Sequence, residues 1–201
     1  MTAVIGACPA FSYPHGSVPT FWQHAMTDDS TRRAPDAAAS LDALCEAILE
    51  RYHASAHGAL PRIRGHLAAL AEQEPACAPL HAAFGVLADH LASHLAKEEH
   101  ILFPALVAMA EAERTGGGRP AMPFPTVLHP IRLMEAEHAR LAADLDALVA
   151  AAGGFEPASG DSEGRRRALD ELATFAADLH LHLRVENDVL FPRALDLDRR
   201  L

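Results

Sequence analysis

HLAKEEHILFP, His94 to Pro104, and HLRVENDVLFP, His182 to Pro192, are one phrase written twice, with His, Leu, Glu, Leu, Phe and Pro at identical offsets. In a helix, residues four apart differ by about 40° in direction and project from one face a turn apart. His94 with Glu98, and His182 with Glu186, are two such pairs. A neutral imidazole nitrogen and a carboxylate oxygen aimed at one point can both bind a first-row metal ion. The second carboxylate oxygen can bridge to a neighbouring ion. One such pair alone is usually a surface contact. The repetition gives it weight, because helix bundles build di-metal sites from inward-facing side chains of opposed helices. The trailing Leu-Phe-Pro reads as apolar packing below a metal layer and as a helix stop.

Outward from these phrases the chain is helical in pattern. DAAASLDALCEAILERYHASAH, from Asp36, repeats apolar residues at helical spacing, and the pattern continues through LPRIRGHLAALAEQE, where Gly58 and Pro61 are expected to bend or break it. EPACAP punctuates before a second pattern, LHAAFGVLADHLASHLAKEEHILFPALVAMAEAER. TGGGRPAMPFP is a loop no helix crosses. Pro130 suits the first turn of a third helix that closes at Gly153-Gly154, and a fourth helix ends the chain. No stretch alternates with period two. The expected fold is an all-α four-helix bundle over 36–201, preceded by an irregular extension over 1–35.

Composition narrows the function. Half of the 201 residues are apolar, with few aromatics, and Ala and Leu favour helices. A formal net charge of −10 argues against nucleic acid as partner. Cys8, Cys45 and Cys77 form no CxxC pair and no even framework, which suits a reducing, cytoplasmic setting. The N-terminus has no signal-peptide pattern, and nothing is long and apolar enough for a membrane span. No nucleophile motif, phosphate loop or carboxylate dyad points to another enzyme class. Thirteen histidines are many for this length. The third helix offers His138, and the first offers His53 and His57, so each helix has a histidine for the bundle centre.

RYHASAHGALP, SHLAKEEHILFP, MEAEH and HLRVENDVLFPRAL stand in that order along the chain. In these stretches it resembles hemerythrin-like di-iron proteins, and more closely those of the RIC type, associated with repair of damaged iron–sulfur centres. The resemblance covers the chain from about residue 40 onward. It implies two iron ions held by His53, His94, Glu98, His138, His182 and Glu186, with Glu98 and Glu186 bridging. The family pattern has a further histidine some twenty residues after the one matching His53. Here Glu74 is best aligned with it, with His57 or water as rivals. The resemblance further implies a role in nitrosative or oxidative stress: binding or processing NO or O2, or supplying iron to damaged iron–sulfur proteins. Reversible carriage, sensing and iron storage are the alternatives, and manganese accepts the same donors. RIC proteins carry an additional small domain with a Cys-Cys pair, which residues 1–35 do not match. His90 and Glu137 are candidates for holding a ligand from behind.

Overall fold

The computed structural model describes residues 38–201. The expected irregular extension over 1–35 lies outside these residues. Within them are four long helices and no strand: α1 (41–73), α2 (78–115), α3 (Leu128–Ala152) and α4 (163–200). A 3₁₀ turn, Pro75–Cys77, joins α1 to α2. Gly116 and Gly153 end α2 and α3 in the left-handed conformation (φ 67° and 77°), which glycine enters without a Cβ penalty. Ser162 caps α4 by accepting from the Arg165 amide at 3.0 Å. The loop after α2 is fastened to the end of α4, where buried Asp198 accepts from Thr126 at 2.5 Å and from Arg119.

The core comes in two parts. One is built from Leu60, Ile63, Leu67, Phe84, Leu91, Leu145, Leu172, Phe175 and their neighbours, the other from Leu44, Ile48, Leu102, Phe103, Met109, Ile131, Leu190 and Phe191 with theirs. Along α1 and α3 the second part precedes the first; along α2 and α4 the order reverses. The helices therefore run up, down, up, down. On every helix the changeover falls at a buried histidine or glutamate: His53, His94 and Glu98, His138, and His182 and Glu186. The hydrophobic effect drives both halves together, and a polar layer is enclosed between them.

Two expectations are corrected. Gly58 and Pro61 do not break α1, which stays α-helical over Ala54–Gln73 with Pro61 inside it. Ala56, Ala59, Leu60, Ile63, Leu67 and Leu70 are all buried from this segment, and that burial outweighs a local proline cost of about 3 kcal/mol. Nor does Leu-Phe-Pro stop α2 or α4. Each helix passes through a five-residue π turn, Glu98–Leu102 or Glu186–Leu190, and resumes as α-helix at Phe103 or Phe191. The wider turn ends with one residue left before the proline and relieves its clash with the carbonyl four residues back. A third π turn, Leu49–His53, ends on His53.

Gly58, Gly65 and Gly85 lie inside helices, with no atom within 4 Å of where a Cβ would stand. Each Gly→Ala change is expected to stabilise the chain by about 0.5–1 kcal/mol, since alanine loses less backbone freedom on folding. Urea unfolding of the metal-free protein measures it as a shift in midpoint at constant slope.

Candidate metal centre

Six side chains meet in the polar layer, one or two from each helix, and all are almost wholly buried: His53, His94, Glu98, His138, His182 and Glu186. They form two overlapping sets. His53, Glu98, His182 and Glu186 bring one ligand atom each within 4.8 Å of one another, and so do His94, Glu98, His138 and Glu186. Both carboxylates belong to both sets. In the first position His53 Nε2 lies 3.2 Å from His182 Nε2; in the second, His94 Nε2 lies 3.1 Å from His138 Nε2. Glu186 reaches His182 Nε2 through Oε1 at 2.9 Å and His138 Nε2 through Oε2 at 3.3 Å. Glu98 Oε2 stands 3.2 Å from His94 Nε2 and 3.5 Å from His53 Nε2.

The repeated phrase builds this arrangement twice. Its histidine and glutamate sit one helical turn apart, and the π turn starts on the glutamate. The phenylalanine then packs on a histidine of another helix: Phe103 against His53 with ring centres 5.4 Å apart, Phe191 against His138 at 5.5 Å. Tyr52 stacks on His182, its ring nearly parallel at 6°.

Outward-facing nitrogens fix three of the rings. His53 Nδ1 pairs with Glu99 Oε1 at 2.9 Å, His94 Nδ1 with Glu137 Oε2 at 3.3 Å, and His138 Nδ1 with Asn187 Oδ1 at 2.9 Å. With Nδ1 donating outward, each Nε2 turns a lone pair inward, the tautomer a metal ligand needs. Glu98 Oε1 and Oε2 and Glu186 Oε2 are buried without a hydrogen-bond partner. Facing lone pairs and orphaned carboxylate oxygens in a dry core are costly unless a cation lies among them. The donor set therefore fits divalent first-row metal ions, with two nitrogens and two shared carboxylates for each.

Electrostatics say the same. Burial alone would lower the pKa of His53, but hydrogen bonds and charge from Glu186 and Glu98 outweigh it and push it up to about 10. His94 is raised against its burial by Glu98. Glu186, despite complete burial, is held well below the usual carboxylate value by His182, His138 and His53. Without metal, then, the two carboxylates favour a proton on His53. For the metal-free chain, a raised His53 value contributes stability below the unfolded-state value near 6.5, and that stability is lost as pH rises through about 10. Metal binding runs the other way, because the ion must displace this proton. Affinity is expected to rise about tenfold per pH unit for each proton displaced and to fall in acid. Calorimetric titration in buffers of different ionisation heat measures the protons released at each pH.

Glu74 is not brought to either set. It ends α1 as its C-terminal cap, 3.9 Å from the Cys77 thiol. A rigid helix rising about 1.5 Å per residue carries it about 30 Å from His53. His57 is half exposed, and its Nε2 bonds to Glu99 Oε1 at 2.7 Å rather than joining the layer. His90 pairs with Asp144 of α3 at 2.6 Å, and so ties α2 to α3. Glu137 does hold His94 from behind, with Lys97 on its other oxygen. Glu99 and Asn187 escaped the sequence reading, although both directly follow a glutamate of the repeated phrase.

No helix among the described residues is long and apolar enough to cross a membrane. Relatives include the "Iron-sulfur cluster repair protein YtfE" of Yersinia pestis (strain Pestoides F) and that of Yersinia pseudotuberculosis serotype O:1b (strain IP 31758). Each is 30% identical to this chain, over 74% of it and 63% of the relative. The chain thus spans less than two thirds of the length of these relatives. Residues 46–194 match the Hemerythrin HHE cation binding domain, a span that contains all six side chains of the polar layer, and the chain belongs to the hemerythrin family.

Proposed function

We propose that the chain holds two iron ions in this layer and serves in nitrosative or oxidative stress, binding a diatomic ligand and supplying iron to damaged iron–sulfur clusters. The observation that carries the reading is the donor set: four inward imidazole nitrogens sharing two buried carboxylates. Bound there, two irons would supply one-electron redox chemistry. His53 and His182 hold one position, His94 and His138 the other, and Glu98 and Glu186 keep the two together. Phe103, Phe191 and Tyr52 pack against the histidines and restrict water.

A cavity of about 20 Å³ touches His182 and is lined by Tyr52, Ser55, Leu91, Phe175 and Asp178 among others. That is room for a water-sized guest, which favours a diatomic molecule over an organic substrate. Iron–sulfur cluster repair is the role named for relatives that this chain covers only in part. It suits a cytoplasmic setting, in keeping with the free thiols of Cys45 and Cys77.

Repair is tested by damaging an iron–sulfur enzyme with NO and following its recovery with the iron-loaded chain. Faster recovery than with equal free iron supports the reading. Recovery no faster, alongside reversible NO or O2 binding, leaves carriage or sensing as the function.

A further inference from the structure

The two copies of the phrase differ in one position that touches the metal layer. Directly after the shared glutamate the first copy has Glu99 and the second has Asn187. Each reaches across to a ligand on a neighbouring helix: Glu99 from α2 to His53 Nδ1 of α1, and Asn187 from α4 to His138 Nδ1 of α3, both at 2.9 Å. The geometry is matched and the charge is not.

The remaining partners do not cancel the difference. Glu99 Oε1 also meets His57 Nε2 at 2.7 Å, on a ring that is half exposed to water. On the other side Glu137 faces His94 at the longer distance of 3.3 Å, and its second oxygen is held by the ammonium of Lys97. Asp178 lines the cavity at His182, which places a further carboxylate on the His53/His182 side. A carboxylate on Nδ1 makes an imidazole a stronger donor through Nε2, which tightens metal binding and favours the more oxidised ion.

We propose that Glu99, set against the neutral Asn187, is a positioning residue that makes the two metal positions unequal. The His53/His182 position holds its ion more tightly, and at a lower reduction potential, than the His94/His138 position. The inference rests on the two-metal reading above and deepens it, because it names the position from which iron leaves first.

The test is anaerobic chelator competition on the iron-loaded full chain, followed by Mössbauer spectroscopy and a potentiometric titration. His53→Ala and His138→Ala assign the two signals. The wild-type chain should lose iron in two phases, with the His94/His138 signal disappearing first. Glu99→Gln keeps a hydrogen-bond acceptor but removes the charge. It should weaken the His53/His182 position about 10- to 100-fold and close the gap in potential, leaving the other position unchanged. Asn187→Asp should tighten the His94/His138 position.

One-phase loss from the wild-type chain, or two phases and potentials that Glu99→Gln leaves in place, would overturn the proposal. If Glu99→Gln fails to fold, Asn187→Asp decides, and an unchanged His94/His138 affinity counts against it. A wild-type chain that binds no iron at all sinks the two-metal reading instead.

Discussion

Replacing Glu186 with alanine should empty both proposed metal positions, whereas replacing His53 with alanine should empty chiefly one. Glu186 is within reach of both histidine pairs, with one oxygen directed to His182 and the other to His138. Its loss removes a quarter of each four-donor set and the negative charge that balances both ions. The same holds for Glu98, which stands between His53 and His94. His53 belongs to a single set. Iron content after loading and gel filtration should fall from about two per chain to near zero for Glu186→Ala, and to about one for His53→Ala. Equal losses in the two variants would mean that the carboxylates are not shared.

Metal removal should change stability by more than any of the Gly→Ala substitutions in the helices. In the metal-free layer three buried oxygens of Glu98 and Glu186 lack hydrogen bonds, each a cost of about 1–3 kcal/mol that an ion relieves. At free metal 1,000 times its dissociation constant, each position contributes about 4 kcal/mol by mass action. For a chain of this size that is roughly 8–16 °C in Tm per position. Thermal melts with and without a strong chelator measure it, with Glu186→Ala as the control whose Tm should not respond to iron. A wild-type Tm indifferent to the chelator would contradict a metal-stabilised layer.

The repeated phrase was legible because it carries two signals at once. Helical spacing puts His94 over Glu98 and His182 over Glu186, and recurrence of six residues at identical offsets makes chance unattractive. His53 and His138 lacked that support; His53 competed with His57 on its own helix, His138 stood without a paired glutamate, and only the order of the family motifs singled them out. The up-down bundle followed from four apolar patterns and the loops between them.

The π turns were invisible. One extra residue in a helix barely disturbs an apolar period, so Phe-Pro was taken as a stop where the backbone widens and continues. Glu99 and Asn187 were missed because a polar residue beside a buried one normally faces water; their targets lie on other helices, which spacing within one helix cannot reveal. Glu74 was drawn in by counting along the chain. An unbroken α1 already carries it the length of the helix away from His53, so the continuity of that helix was the signal to heed.

Anomalous diffraction at the iron edge, on crystals of the iron-loaded chain grown without oxygen, would locate the ions themselves. Two peaks are expected inside the bundle, one between His53 and His182 and one between His94 and His138, each in reach of Glu98 and Glu186. A single peak, a peak at Glu74 or His57, or no peak in the layer would contradict the two-metal reading.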